Sequence, residues 1–162
     1  MKTKLLLIYG YLVPFVGSAI ISVMPFWTGL LNAEDFSRIF ADNRELVLVI
    51  LAFFGAIAIP FQNQVLTESD EYVLTVLNRS RVRRVFQTAS AVQAVIIILM
   101  ALLILLLSSV VSHPAIIGPL ELFAVSLISF EFIAMVSNGC AYTEIREKII
   151  ARVSMESKMQ KK

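Results

Sequence analysis

The sequence has few charged residues, one cysteine and one histidine, and each scarcity excludes a class of protein. Charged residues make up 16% of the 162 positions and hydrophobic residues 58%, whereas soluble domains are about a quarter charged. The single cysteine, Cys140, excludes an intramolecular disulfide and a Cys-x-x-Cys redox pair. His113 is the single histidine, so the chain lacks the converging histidine and cysteine ligands that a zinc site normally requires. We therefore expect no metal site and no cofactor.

The sequence contains long apolar runs instead. The mean hydropathy is +0.82, and four runs each approach the roughly 20 residues that cross a bilayer core. We predict an all-α, polytopic membrane protein with four antiparallel transmembrane helices, at residues 5–27, 46–66, 88–111 and 120–142. Residues 5–16 also resemble the apolar part of a signal peptide, but the run continues through Phe26, so we expect a retained span.

The basic residues predict the orientation of these spans. Twelve of the fourteen Lys and Arg residues fall at the amino end, between spans two and three, or after span four. The other side has Arg38 and Arg44, which four acidic residues outweigh. By the positive-inside rule, both termini are cytoplasmic. The prediction is a membrane domain at residues 1–142 and a basic, helical cytoplasmic tail at residues 143–162.

The outer segment between spans one and two has the pattern of a short amphipathic helix. Asn32 and Asp35 have the spacing of a capping box. The predicted outer interfacial face consists of Trp27, Phe36, Ile39 and Phe40. Anchoring in the headgroup zone is the simpler interpretation, and contact with something outside the cell is the alternative.

Residues 112–119 predict a short outer turn between spans three and four. Pro119 suits the first turn of span four, which places Glu121 near the positive end of that helix in a structural role.

The cytoplasmic segment between spans two and three combines a helix start at residues 67–71 with an arginine cluster. The candidate residues for lipid or partner contact are Arg79, Arg81, Arg83, Arg84, Arg146, Lys148 and Arg152. Anionic lipid explains the arginines without a further assumption, and docking of a cytosolic protein is the main alternative. No aromatic platform accompanies them, so we expect no direct nucleic-acid binding.

The tail has an apolar stripe at helical spacing, formed by Ile145, Ile149, Ile150 and Val153. This stripe needs cover from the middle segment, another copy of the chain or a second protein. We predict that the tail and the arginine cluster form one cytoplasmic docking face.

A polar layer is predicted inside the membrane. Glu131 lies at the midpoint of span four, where an acid is costly and is expected to be uncharged and to face the bundle interior. Gln62, Gln93 and Asn138 lie at a similar depth toward the cytoplasm. Two hypotheses remain open: an ion or proton pathway or switch, and hydrogen bonding that links the helices.

Small residues four positions apart predict close helix contacts and self-association. These pairs are Ser18/Ser22, Ala52/Ala56 and Ser137/Ala141. Several four-span enzymes and transporters are disfavoured by chemistry. Thiol-oxidising quinone enzymes need paired cysteines, small multidrug transporters need an acid in span one, and intramembrane serine proteases need a serine–histidine dyad. No catalytic signature is present, so we expect a non-enzymatic protein.

The span pattern with cytoplasmic ends resembles the KwaA family, the four-span membrane subunits of bacterial Kiwa phage-defence systems. The resemblance implies a homo-oligomeric, multi-pass sensor of the bacterial inner (plasma) membrane. It further implies a cytosolic effector partner and a role in antiviral defence. The alternatives are a small homo-oligomeric ion channel or pore, and an accessory subunit of a membrane complex.

Overall fold

The computed structural model describes residues 2–64, 67–110 and 113–159, and all regular structure in these ranges is helical. The helices are α1 Lys2–Trp27, α2 Ala33–Asp42, α3 Arg44–Asn63, α4 Glu71–Arg79, α5 Val82–Val110 and α6 Pro114–Met159. The prediction of an all-α protein is confirmed.

Three helices are long and apolar enough to cross a membrane, within residues 44–63, 82–106 and 115–153. They correspond to predicted spans two, three and four, and the chain has the character of a membrane protein. The first predicted span lies in α1, whose segment Leu12–Trp27 is apolar but shorter. Parts of two predicted spans, residues 65–66 and 111, lie outside the described residues.

Helix α6 is the centre of the molecule, because α1, α2, α3 and α5 all pack against it. Its buried residues recur every three or four positions along one stripe, at 121, 124, 128, 131, 135, 139 and 142. The main core joins this stripe to Phe40 of α2, Leu51 of α3 and Ile104 of α5. An α6 substitution in this stripe therefore affects several helix contacts at once.

The two short helices pack at opposite ends of α6. Asn32 caps helix α2 through its Oδ1, which accepts the Glu34 N–H, and α2 packs beside Gly118. Asp70 caps helix α4, whose buried residues contact Tyr142. Gly118 and Tyr142 are 24 residues apart on α6, which is roughly 36 Å along the helix axis. We therefore refer to these two regions as the α2 end and the α4 end.

The predicted outer turn is wrong from residue 114 onward. Helix α6 begins at Pro114, whose fixed φ is already suited to a helix start. The Ile116 and Ile117 N–H groups donate to the His113 carbonyl oxygen and form the first turn. Pro119 consequently lies inside α6, and Glu121 lies beyond the first turn, where it pairs with Arg44.

Helix α6 extends without a break through residues 143–159 of the predicted tail. An exposed pair between Glu144 and Lys148 lies one turn apart on this extension. The apolar stripe is partly covered, because Ile145 and Ile149 pack against the residues of α4. Ile150 stays 40% exposed. The α4 segment therefore provides part of the cover that the sequence requires.

Candidate functional site

Three amide side chains meet in the bundle interior, one from each of the helices α3, α5 and α6. Gln62 Nε2 donates to Gln93 Oε1 over 2.8 Å, and both side chains are buried. Asn138 Nδ2 donates to the same oxygen over 3.5 Å. The structure thus brings together the three amides that the sequence placed in one layer.

Glu131 lies beside this amide cluster and is 1% exposed. Neither of its carboxyl oxygens has a hydrogen-bond partner among the described residues. Gln93 is the polar side chain that interacts with it, outside hydrogen-bond geometry. An ionised carboxyl here would be costly, whereas a protonated one can both donate and accept a hydrogen bond. The chemistry available at Glu131 is therefore gain or loss of one proton.

Polar side chains continue from the amide cluster toward the α4 end. Thr143 Oγ1 donates to Gln64 Oε1 over 3.1 Å. Beyond this pair, Glu68 Oε2 accepts hydrogen bonds from Tyr142 Oη at 2.6 Å and Arg146 Nε at 2.7 Å. Its Oε1 accepts the Asp70 N–H at 3.0 Å. We call Glu68, Tyr142 and Arg146 the Glu68 clamp, because it joins the α3–α4 connection to α6.

The Glu68 clamp favours an ionised carboxylate. Burial by itself raises the pKa of Glu68, since the side chain is 4% exposed. The hydrogen bonds from Tyr142, the Asp70 backbone and Arg146 have the opposite effect and together lower the pKa to about 2. Glu68 is therefore a charged anchor at the α4 end.

The α2 end has a second buried acid. Glu121 is 1% exposed, and its Oε1 lies 3.8 Å from Arg44 Nη2 at the start of α3. The other oxygen has no hydrogen-bond partner among the described residues. Between Glu121 and Glu131, the buried α6 side chains are Ala124, Leu127 and Ile128, all apolar. Along α6, the polar region around Glu131 is thus separated from Glu121 by an apolar segment, whereas α1 contributes the buried serines Ser18 and Ser22.

A groove of about 360 Å³ lies between α4 and the α6 extension. Its lining residues are Tyr72, Val76, Ile145, Lys148, Ile149 and Arg152. Val76, Ile145 and Ile149 make most of the lining aliphatic, and Lys148 and Arg152 are its two cations. We call it the α4–α6 groove.

The predicted basic residues are spread around this end of the molecule. Arg79 ends α4, Arg81 adopts a φ of 60° in the connection to α5, and Arg83 and Arg84 lie in the first turn of α5. Arg79, Arg81 and Arg84 are exposed, whereas Arg83 is half-buried. Three of the candidates have specific surroundings: Arg146 pairs with Glu68, Lys148 pairs with Glu144, and Arg152 lines the groove.

The predicted outer face divides into two parts. Trp27 and Ile39 are exposed, at 85% and 60%. Phe40 belongs to the main core, and Phe36 packs against that core and stacks on Phe40. The prediction that all four face the interface is wrong for Phe40, because α2 folds onto α6 and buries it. Asn32 caps α2, but Asp35 lies beside Arg38 instead of completing a capping box.

The sequence reasoning missed the Glu68 clamp and the Arg44–Glu121 pair. The sequence pattern predicts a helix-start acid at Glu68, whereas its hydrogen-bond partner Tyr142 is 74 positions away. An acid and a tyrosine at such a separation have no periodic signal that links them. The local signal is position: Glu68 follows the end of predicted span two, and Tyr142 is the last residue of predicted span four.

Comparison with known proteins adds no relative. No protein-family model, no curated protein and no solved structure matches the chain.

Proposed function

We propose that the chain is a non-enzymatic sensor or anchor of the bacterial inner membrane that recruits a cytosolic effector. The observation behind this proposal is the α4–α6 groove, which combines an aliphatic floor with Lys148 and Arg152. Its occupant in the proposal is an acidic, amphipathic segment of the effector. The resemblance to the Kiwa membrane subunits extends the proposal to a role in antiviral defence.

The proposed topology has four spans with both termini in the cytoplasm, and the order of helix contacts supports it. Phe86 and Gln93 of α5 contact Tyr142 and Asn138 of α6 in reverse order. In α3, Gly55 lies by Phe132 and Phe61 by Gly139, in the same order. The α3–α4 connection and the α6 extension therefore meet at one end. The excess of basic residues makes this the cytoplasmic end.

A protein occupant explains the groove better than lipid headgroups do. Arg152 lies ten residues beyond Tyr142, about 15 Å along the helix axis. The headgroup region is only about 5–8 Å thick on each side of the hydrocarbon core. A cation so far along α6 is better placed for a cytosolic protein. Arg79, Arg81 and Arg84, which are nearer the start of α5, remain candidates for lipid contact.

Site-specific photocrosslinking in cells tests the docking site. A photoreactive amino acid at Tyr72, which is 50% exposed and lines the groove, should form an adduct with one cytosolic protein. Ile149→Asp should reduce that adduct at least fivefold, because a charge replaces part of the apolar floor. Ile150→Asp is the matched control, since Ile150 is the next residue of the same helix and does not line the groove.

Adducts to lipid alone, or to a second copy of the chain, would contradict the proposal. An equal loss of adduct in both aspartate variants would also contradict it, since the groove would then have no special role. The expected partner peptide is rich in Asp and Glu, which complements the excess of basic residues at the α4 end.

We also propose that the protein self-associates. Ala52 and Ala56 of α3, and Ser137 and Ala141 of α6, are exposed on the single chain and spaced for close helix contact. Ser18 and Ser22 are instead buried within the chain.

A small homo-oligomeric channel is the second candidate function, and Glu131 with its amide cluster is the observation that favours it. Ion flux through liposomes containing the purified chain distinguishes it from an anchor, because an anchor predicts no flux. A role as an accessory subunit predicts instead that the chain purifies with other membrane proteins.

A further inference from the structure

We infer that Glu131 is a reversible proton-binding site that exchanges with the α4 end and is closed toward the α2 end. The first observation is that no hydrogen bond among the described residues offsets the cost of burying this carboxyl group. It is 1% exposed, and both oxygens lack a hydrogen-bond partner among the described residues. Such a group is stable in the membrane when a proton neutralises it.

No charged side chain faces Glu131 from the described parts of the helices around it. Its polar neighbours are Gln93 of α5, with Gln62 of α3 and Asn138 of α6 beyond. On α6 the next acid is Glu121, about 15 Å away along the axis, and Arg146 is about 22 Å away. On α5 the basic residues begin at Arg84, about 13 Å from Gln93. The segment of α1 at residues 12–27 has no titratable side chain.

The arrangement of the amides selects a proton over a metal cation. Gln93 Oε1 accepts the bonds from Gln62 and Asn138. This oxygen is therefore already engaged by two amide donors and is not left free as a metal ligand. A metal ion needs several converging oxygen ligands, and Glu131 is the one carboxyl group beside the amide cluster among the described residues. A proton needs only the carboxyl group itself.

Access to Glu131 is one-sided within the chain. Toward the α4 end, the amide cluster is followed by the Gln64–Thr143 pair and then the Glu68 clamp. Gln64 and Thr143 are exposed on the single chain, so polar side chains connect the amide cluster to the bundle surface within a few residues. Toward the α2 end, the buried residues Ala124 and Ile128 of α6 and Ile104 of α5 are apolar, and α1 contributes the buried serines Ser18 and Ser22, which do not titrate. A proton can therefore reach the site from the α4 end without crossing the membrane.

This site would give the proposed sensor a stimulus, namely the proton concentration on the side of the α4 end. Glu131 and the groove residue Ile149 lie on one continuous helix, about 27 Å apart. The gain of charge at Glu131 would disturb the packing of α3 and α5 against α6, whose extension forms one wall of the groove. This link rests on the proposed function, whereas the titration itself does not.

Infrared difference spectroscopy of the full chain in lipid nanodiscs tests the titration. In a Glu121→Gln background, which removes the other membrane acid, a protonated-carboxyl band should disappear as the pH is raised. The same band should be absent at every pH when Glu131→Gln is added. Should that variant not assemble, Glu131→Asp provides a second test, because its band no longer shifts when the glutamates carry ¹³C.

Sidedness is tested in vesicles selected for an outward-facing tail. A pH step in the external solution should change the band, and a pH step in the lumen should not. A band that stays constant with pH would overturn the inference and leave Glu131 as a permanently protonated residue. A response to luminal pH alone, or to either side equally, would overturn the one-sided access. Neither measurement needs the partner, so failure of docking is detected separately by the crosslinking experiment.

Discussion

Glu121 and Glu131 are fully buried and Glu68 is half-buried with a 4% exposed side chain, and the groups around the three acids also differ. Glu68 accepts three hydrogen bonds, one of them from an arginine. Glu121 has one arginine at 3.8 Å, and Glu131 has no partner in hydrogen-bond geometry among the described residues. The cost of burial is thus offset fully, partly or not at all by neighbours. This gradient makes Glu68 an anchor and leaves Glu131 as the group that must bind a proton.

Glu68→Gln should destabilise the packing of α4 against α6 by about 1.5–3 kcal/mol, the usual contribution of hydrogen bonds to a charged group. The pKa of Glu68 is lowered from 4.5 to about 2, so its stabilising effect is complete above pH 4.5. That effect is lost as the pH falls from 4.5 toward 2. Hydrogen exchange of the α4 amides should therefore increase over this range in the parent.

The glutamine variant should exchange faster than the parent at neutral pH and show a much smaller acid-induced increase. Glu147→Gln is the control, because Glu147 is an exposed acid of the same α6 extension. Identical pH profiles for the parent and Glu68→Gln would show that the clamp does not stabilise this end.

At the scale of helices, the contact between α3 and α6 depends on a glycine. A Cβ atom built on Gly139 would lie 2.6 Å from both the Cβ and the carbonyl oxygen of Phe61. Backbone atoms of α3 cannot move aside as a flexible side chain can. The absence of a side chain at Gly139 therefore allows the two helices to approach next to the amide cluster.

Gly139→Ala should lower the free energy of unfolding by about 1–3 kcal/mol through overpacking. Gly17→Ala is the matched control, because its Cβ would meet only the Phe130 ring at an ordinary 3.4 Å. It should be neutral or slightly stabilising, since alanine favours helix over glycine. Denaturant unfolding of both variants in mixed micelles provides the comparison, and equal stabilities would refute the close α3–α6 contact.

At the scale of the whole molecule, α6 connects the α2 end to the α4 end and contacts every other helix. The two ends are therefore joined by one continuous helix of 46 residues. The outer surface of the bundle is strongly apolar, with exposed residues such as Phe53, Val95, Leu99 and Ile133. Such a surface is suited to contact with lipid or with another copy of the chain. Many apolar side chains therefore stay exposed in the single chain.

Thiol labelling in spheroplasts tests the proposed topology. In a Cys140→Ser background, a membrane-impermeant reagent should label Asp42→Cys and His113→Cys in intact spheroplasts. Asn78→Cys and Met155→Cys should react only after lysis, because they lie at the α4 end. All four parent positions are exposed in the single chain. Labelling of Met155→Cys from outside would refute a cytoplasmic tail.

The hydrophobic runs and the periodicity of the sequence are sufficient to predict the class of fold and much of the polar layer. Span positions follow from length and hydropathy, which are properties of a segment alone. The meeting of Gln62, Gln93 and Asn138 was predictable because residues at one depth in neighbouring helices have few other partners in lipid. The start of α6 was misplaced because two prolines, Pro114 and Pro119, were both suitable for a first turn.

The sequence by itself determined that this chain is helical, apolar and charged mainly in its connections and tail. The tertiary structure decided which helix is central, that α2 turns Phe40 inward, and that α4 covers part of the tail stripe. It also decided that Glu68 meets Tyr142 and Arg146, whereas Glu131 is left with no charged partner among the described residues. Hydropathy and periodicity are local and follow from neighbours in sequence. Pairings between distant residues depend instead on helix rotation and crossing, which only the packing of side chains fixes.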